Sequence, residues 1–512
     1  MKDTSMIKYD YDFTFVSLWN EPVSVNPLYH FVRRKINEVS EYIVNDKLKN
    51  PDIVLNNSEK DVLRYQQKYP CAPALLTLAG VVQKDYRVQI ISLDVEKERI
   101  DNKDWLKVAI NNICRQTRYG LCVSFVTPEV PKLYEFSKLV KQCREDLKII
   151  VGGVHATNYY EDILKTPDID IVVRGEGEES IVELFQALTN ECGFENIKGI
   201  SYKHNNSIIS NEDRDFIELA KLPIPAYNLV ESYADKILLT PTFSRGCPYG
   251  CEYCAESAFW TTNVRYKDVS RFCDELEYLN KKLNYKFIHI ADSTFGVNRE
   301  KLIELCDELE KRNFKCYFSI NIRPNVFEYM GEDLVKRLRN LYFVEMYMGV
   351  EAADYQIISS LHRKQNSNQV ISTLTKLKKI GIPLVKVYLM IGSPEETRMS
   401  LEKTVSLVEK LLDQELIFYA TAKFFVPSPG SPLFDNLNNK IENDWSRYDR
   451  YNFPPLYKNK QCIEGELDIY LVLIQIVQLK YYLKCVPEVI GERISNELIE
   501  FSDRNYLKEY YF

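Results

Sequence analysis

Three closely spaced cysteines are the chemical focus of this 512-residue chain. Cys247, Cys251 and Cys254 stand in Ser244-Arg-Gly-Cys-Pro-Tyr-Gly-Cys-Glu-Tyr-Cys-Ala255, a C-x3-C-x2-C spacing. Three thiolates in one short loop can wrap a single 4Fe–4S cluster, with Gly246 and Gly250 relieving backbone crowding. Three ligands for four irons leave one iron open to a substrate or cofactor. A structural zinc site wants a fourth Cys or His nearby, and so does a ferredoxin-type carrier. The next cysteine is Cys273, and no His lies between positions 205 and 288. Pro248, Gly250 and Glu252 make a poor helix or strand, which argues against three ordinary core cysteines. The five His of the chain are scattered. With no Ser, His and Asp grouping, they suggest neither a zinc site nor hydrolysis.

A βα series must hold this loop. Strands are expected at Leu238–Phe243, Phe287–Ala291, Cys316–Ile322, Phe343–Gly349, Val385–Ile391 and Tyr419–Phe425, with helices such as Arg299–Arg312, Met330–Leu341 and Asn368–Ile380 between them. Six strand–helix repeats predict a partial (β/α)6 barrel over 236–435, with its chemistry at the carboxyl ends of the strands. The cysteine loop directly follows the first of them. Upstream, apolar runs at Phe13–Leu18, Arg87–Leu93, Leu121–Val126, Lys148–Val151 and Ile169–Val173 alternate with helical patterns at Ala72–Gln83, Leu133–Arg144 and Glu178–Leu188. This predicts a parallel, Rossmann-like α/β domain over 1–230, whose ligands bind beyond the strand carboxyl ends. Gly152-Gly153 and Gly175 follow such ends, either to let a ligand approach or simply to make tight turns. A short β excursion follows at Gly199–Tyr202 and Ser207–Ser210, and Leu222-Pro-Ile-Pro-Ala226 reads as a linker. A small, mostly helical region covers 436–512.

The loop resembles the signature of the radical S-adenosylmethionine (SAM) superfamily, C-x3-C-x-aromatic-C, with Tyr253 as the aromatic residue. The resemblance implies that the methionyl amine and carboxylate chelate the open iron, and that reduction releases a 5′-deoxyadenosyl radical. It places further residues at the cofactor. Asp292 is the acidic residue facing SAM, with Ser293 where many relatives carry a second Asp. Arg323 pairs with the SAM carboxylate, Glu351 holds the methionyl amine or the ribose, and Arg363 faces the cofactor. Gly392 and Pro394, in Met390-Ile-Gly-Ser-Pro394, resemble the turn that supports adenine, and Val426–Pro432 resembles the closing segment of such barrels.

The first domain is similar to the cobalamin-binding domain that precedes the barrel in one subgroup of this superfamily. The likeness rests on Ile149-Ile-Val-Gly-Gly-Val-His-Ala156 and on Ile169–Glu178, with its Arg-Gly-Glu-Gly-Glu segment. Gly152, Gly153, His155, Gly175 and Glu176 are its candidate cobalamin contacts. The Asp-x-His-x-x-Gly element that supplies a lower His ligand is absent: the corresponding stretch reads Ser92-Leu-Asp-Val-Glu-Lys97. The helical stretch Asn26–Lys49 matches neither pattern.

Cobalamin-dependent methylation of an unactivated carbon, in a natural product or a peptide, is therefore the expected activity. The alternative is a cobalamin-independent peptide epimerase or cyclase. An epimerase needs a thiol hydrogen donor, for which Cys306, Cys316, Cys462 and Cys485 are candidates, although buried small hydrophobes are the plainer reading. Such an enzyme takes electrons from a flavodoxin or ferredoxin. A net charge of −7 argues against nonspecific nucleic-acid binding. No run of about 18 apolar residues suggests a membrane span. An odd count of 13 cysteines without a leader-like start fits a reducing cytoplasm better than a disulfide framework. The Tyr-rich stretch after position 444 is expected to cover the barrel mouth over a large organic or peptidic substrate.

Overall fold

The structure, a computed structural model, describes residues 9–19, 27–47, 68–205, 207–260, 262–363, 365–437, 445, 448 and 464–504. Their chain forms two compact units. One takes in the described parts of 1–21, 68–239 and 274–283, and the other those of 22–67, 240–273 and 284–512.

The main sheet of the first unit has seven strands: β1 (Tyr11–Ser17), β2 (Val88–Ser92), β3 (Thr117–Ser124), β4 (Lys148–Gly152), β5 (Ile171–Val173), β6 (Ile200–His204) and β7 (Ser207–Ser210), in the order β2-β1-β3-β4-β5-β6-β7. The first five are mutually parallel, and β6 and β7 add an antiparallel hairpin at the edge. β-Branched and aromatic residues fill these strands. Phe13, Phe15, Ile149 and Val172 are wholly buried, as expected where helices cover both faces of a parallel sheet. The expected helices appear as Pro73–Val82, Val130–Cys143 and Glu178–Thr189. Four more among the described residues, Leu93–Arg99, Trp105–Gln116, Val154–Asn158 and Tyr160–Lys165, were not anticipated. The excursion after β5 is the hairpin β6–β7.

The second unit holds a five-stranded, all-parallel sheet in sequential order: β8 (Phe287–Ile290), β9 (Tyr317–Ile322), β10 (Phe343–Glu351), β11 (Leu384–Ile391) and β12 (Tyr419–Phe424). The linking helices carry clear stop and start signals. Ser367–Ile380 opens on a capping box of Asn366 and Gln369 and closes on Gly381 in the left-handed region. The helix expected at Met330–Leu341 is present as Glu332–Asn340, and an unanticipated helix, Pro324–Met330, precedes it, the two separated at Gly331 with φ +80°.

The structure makes two corrections. The expected first barrel strand, Leu238–Phe243, does not join the sheet. Ile237–Leu238 pairs instead with Tyr69–Pro70 in the first unit. Beyond them Pro241, which has no N–H to give a ladder, accepts the Ala291 N–H at 2.9 Å through its carbonyl. The helix Pro27–Lys47, counted by sequence within 1–230, belongs to the second unit. Its buried stripe of Leu28, Val32, Ile36, Val39 and Ile43 needs a partner, and the helix packs on Glu464–Lys484. Phe31 stacks on Phe501 at 4.3 Å, and Lys35 and Arg493 pair with Glu497 and Glu38. The helix Glu464–Lys484 also covers the open edge of the sheet. Gln478 Oε1 accepts the Ala420 N–H at 2.8 Å, and Gln475 Nε2 donates to the Ala420 carbonyl at 3.2 Å. Two side chains thus do for β12 what a sixth strand would do. No described helix is long and apolar enough to cross a membrane.

Candidate cofactor sites

The cysteine loop is anchored at its base by an antiparallel pairing of Ser244–Arg245 with Arg265–Tyr266. Gly246 has φ +104°, and a Cβ there would stand 2.3 Å from the Asn263 carbonyl oxygen, so only glycine fits this turn. Cys247 and Cys251 are buried and Cys254 half-buried, and none forms a disulfide. Burial pushes the Cys254 thiol up to about 11, so a thiolate at this position calls for a metal to stabilise it. Among the described residues no three His, Cys, Asp or Glu side chains converge closely enough for a single metal ion. A cluster spaces its thiolates more widely than one ion does, and the three-cysteine loop suits that arrangement.

Asp292 is wholly buried and does not face outward to a ligand. Its Oδ1 accepts the Phe243 N–H at 2.7 Å, and its Oδ2 accepts the Ser244 hydroxyl at 2.6 Å. Burial pushes its carboxyl up to about 6, against the pull of these hydrogen bonds. It is a positioning residue that fixes the chain just ahead of the cysteines. This corrects the expectation of a SAM-facing acid. Ser293 donates to Glu256. The Thr294 hydroxyl, missed in the sequence, lies 3.7 Å from the Cys247 sulfur.

Arg323 reaches the loop itself. Its Nη1 donates to the Cys251 sulfur at 3.2 Å, and the guanidinium lies over the Tyr249 ring at 3.9 Å. Asn325, also missed, donates to the Tyr249 hydroxyl at 2.8 Å. On the other side Tyr253, Glu351 and Arg363 form one knot. Arg363 Nη1 lies 2.7 Å from Glu351 Oε1 and 2.6 Å from the Tyr253 hydroxyl, which itself donates to Glu351 at 3.2 Å. Glu351 sits at a bulge in β10 with φ +65°, a strained conformation for a non-glycine residue. A Cβ at Gly349 would meet Arg363 Nη2 at 2.4 Å and Glu351 Oε1 at 2.6 Å, so any larger residue there would displace the ends of these two side chains.

Among the described residues, buried polar atoms near the loop without a hydrogen-bond partner include the donors Arg323 Nε and Arg363 Nε and the acceptors Asn325 Oδ1 and Gln365 Oε1. Donors and acceptors held together in one site suit a zwitterionic ligand with both ammonium and carboxylate groups. Gly392 has φ +85°, and a Cβ on it would press on Leu467 at 3.0 Å. Its N–H donates to Glu396 Oε2 at 2.6 Å, a carboxylate that burial pushes up to about 7. Pro394 is half-buried in the same turn.

In the first unit the glycines gather at the carboxyl ends of β4 and β5. Gly153 has φ +111°, and a Cβ would come 2.6 Å from the Phe125 carbonyl. Gly175 has φ +67° with nothing within 4 Å of its Cβ position, and its N–H donates to the Thr157 hydroxyl at 3.0 Å. Backbone there reaches solvent with no side chain in front of it, the kind of surface a large planar cofactor needs. His155 is turned inward. Its Nδ1 lies 3.1 Å from the Thr127 hydroxyl, its ring is stacked with Tyr159 at 5.3 Å, and burial lowers its pKa to about 4. Glu176 accepts the Ile217 N–H at 2.9 Å and so holds neighbouring chain. Neither behaves as the open contact expected of it. The stretch Ser92–Lys97 begins the helix Leu93–Arg99, with Asp94 buried, and offers no imidazole.

Comparison with known proteins finds a family match over each of these regions. Residues 242–408 match the radical SAM superfamily, and residues 69–185 match the B12 binding domain. The chain is 27% identical over 449 residues to an uncharacterized methyltransferase, PH0819, of Pyrococcus horikoshii, spanning 85% of this chain and 93% of the relative. It is 28% identical over 358 residues to the anaerobic magnesium-protoporphyrin IX monomethyl ester cyclase of Rubrivivax gelatinosus, spanning 67% of this chain and 62% of that one. The fold resembles that of the cobalamin-dependent SAM radical enzyme OxsB with aqua-cobalamin and SAM bound. The TM-score is 0.67 at 17% identity, over 98% of this chain and 71% of that one. The chain carries a B12-binding domain followed by a radical SAM domain. These two domains make it a radical SAM enzyme with a 4Fe–4S cluster, SAM and cobalamin as its cofactors.

Proposed function

We propose that the enzyme transfers a methyl group to an unactivated carbon of a natural-product or peptide substrate. The observation that carries this reading is one chain with both a three-cysteine loop and a glycine-lined strand end inside a B12-binding domain. The 27% identity to a methyltransferase along most of both chains supports it. When bound, the cofactors supply a carbon-centred radical and a methyl donor. Within the radical SAM domain, Tyr253, Glu351 and Arg363 orient the SAM ammonium and carboxylate, Arg323 sets the charge beside the Cys251 sulfur, and Asp292 holds the loop in register. A flavodoxin or ferredoxin is the proposed electron source.

A second reading, ring closure without methyl transfer, is favoured by the 28% identity to a cyclase. Thiol-dependent epimerisation has less support. Cys306 is buried on the helix Arg299–Lys311. Cys316 precedes the amino end of β9 and donates to the Tyr285 carbonyl at 3.5 Å. Cys485 is exposed beyond the helix Glu464–Lys484, and Cys462 lies outside the described residues. To separate the readings, the reduced holoenzyme is incubated with trideuteromethyl SAM. Formation of S-adenosylhomocysteine as well as 5′-deoxyadenosine, with label on the bound corrin, is expected. 5′-Deoxyadenosine alone would overturn methyl transfer in favour of the second reading.

A further inference from the structure

Away from the cysteine loop, two thiols of the first unit meet where two helices end. Cys114 stands in the last turn of Trp105–Gln116, and Cys143 is the final residue of Val130–Cys143. The helices pack against each other, and their ends lead toward the amino ends of β3 and β4. Cys143 Sγ donates to Asn111 Oδ1 at 3.0 Å, and Asn111 lies one turn ahead of Cys114 on the same helix face. The next residue, Arg144, donates through Nη1 to the Cys114 carbonyl at 3.0 Å. Contacts from two adjacent residues thus bring the Cys143 side chain onto the turn that carries Cys114.

The two thiols differ in access. Cys114 is wholly buried, and Cys143 is exposed. Burial pushes the Cys114 thiol up to about 12, and the adjoining Cys143 thiol adds to the rise. The Arg144 guanidinium, held by Asp146 at 2.8 and 2.7 Å, pulls the other way, toward thiolate. Other cysteines of this unit differ. Burial alone raises Cys71 and Cys122, and the exposed Cys192 donates to the Asn190 carbonyl. An exposed thiol set against a buried one suits a dithiol that is attacked from solvent at one sulfur and resolved by the other.

We propose that Cys114 and Cys143 form a reversible dithiol–disulfide site, with Cys143 as the sulfur that reacts first, Cys114 as the resolving sulfur, and a small external disulfide of the glutathione type as the oxidant. Cys143 Sγ attacks one sulfur of the external disulfide, forming a mixed disulfide and releasing one thiol. Cys114 Sγ then attacks Cys143 Sγ, forming the internal bond and releasing the second thiol. Two cysteine thiols are oxidised, the external disulfide is reduced to two thiols, and the two cysteine protons end on those thiols. The new bond closes a loop that contains all of β3 and the helix Val130–Cys143, so it staples one flank of the first sheet. Both sulfurs lie toward the amino ends of the strands, away from Gly152 and Gly153, and the site is independent of which reaction the enzyme performs.

The test uses anaerobically purified holoenzyme, reduced, freed of reductant, incubated with oxidised glutathione and digested without reduction for mass spectrometry. Wild type should yield a Cys114–Cys143 cross-linked peptide pair that dithiothreitol reverses. Cys114→Ser should stop at a glutathione adduct on Cys143, and Cys143→Ser should show neither an adduct nor a cross-link at Cys114. Oxidation should raise the melting temperature of wild type by about 5–10 °C and leave that of C143S unchanged. Because Cys143 is exposed, C143S keeps the test decisive even where the buried change in C114S impairs folding. Glutathione retained on Cys143 in wild type without a cross-link, no modification of either cysteine, pairing of either with a different cysteine, or a cross-link that lowers the melting temperature would each overturn the proposal.

Discussion

The two parallel sheets are built from similar strands but use them differently. In the first, β1, β4 and β5 are buried on both sides through most of their length. Such a sheet can offer a ligand only its ends, and its notable residues sit there: Gly152, Gly153 and Gly175. In the second, β10, β11 and β12 alternate between buried and half-buried positions toward their carboxyl ends. This sheet offers a ligand both its end, with the cysteine loop, and one long face. A sealed sheet suits a cofactor held through backbone, whereas an open-faced one can also grip a substrate by side chains.

The comparison is most sharply tested at Glu351. If the open end of the second sheet orients SAM, Glu351→Gln should lower 5′-deoxyadenosine formation by about 100-fold, the upper range for residues that orient a metal-site ligand. Iron content and bound cobalamin should be unchanged. Wild-type rates in E351Q would mean that the knot with Tyr253 and Arg363 is only structural.

A smaller effect tests the sealed sheet. His155 titrates at about 4 when folded, against 6.5 when free. The unfolded chain therefore takes up its proton first as the pH falls, and the stabilisation from keeping the ring neutral is lost from pH 6.5 downward. Between pH 6.5 and pH 5 this amounts to about 2 kcal/mol. His289 in the second sheet, also lowered to about 4 by burial, adds the same trend. Thermal melts of His155→Phe should show a shallower acid slope than wild type while retaining the His289 share. An identical slope would mean that His155 is not held neutral.

The fold was legible where spacing and strand chemistry coincide. All five strands of the second sheet stand within two residues of their expected positions, because β-branched and aromatic runs bounded by Gly, Pro and Asn leave few alternatives. Leu238–Phe243 failed because an apolar run does not reveal which ladder it joins, and Pro241 denies it one. Asn26–Lys49 was legible as a helix but not as a partner of Glu464–Lys484, since a buried stripe says that something covers it and not what. At the site the three cysteines were legible from spacing alone. Asp292 was found, but its contacts were not, because hydrogen bonds to the Phe243 N–H and the Ser244 hydroxyl leave no trace in a linear pattern. Asn325, Gln365 and Thr294 carried no signal: common polar residues become informative only when buried beside the cysteines.

The central claim is that the two sheets hold two separate cofactors. Anaerobic purification of wild type and Cys251→Ala with cobalamin supplied, read by visible absorption and iron analysis, tests it directly. Wild type should carry both the cluster and cobalamin, and C251A should lose iron and SAM cleavage while keeping cobalamin at the wild-type ratio. An intact cluster in a wild-type protein that retains no cobalamin would contradict the account.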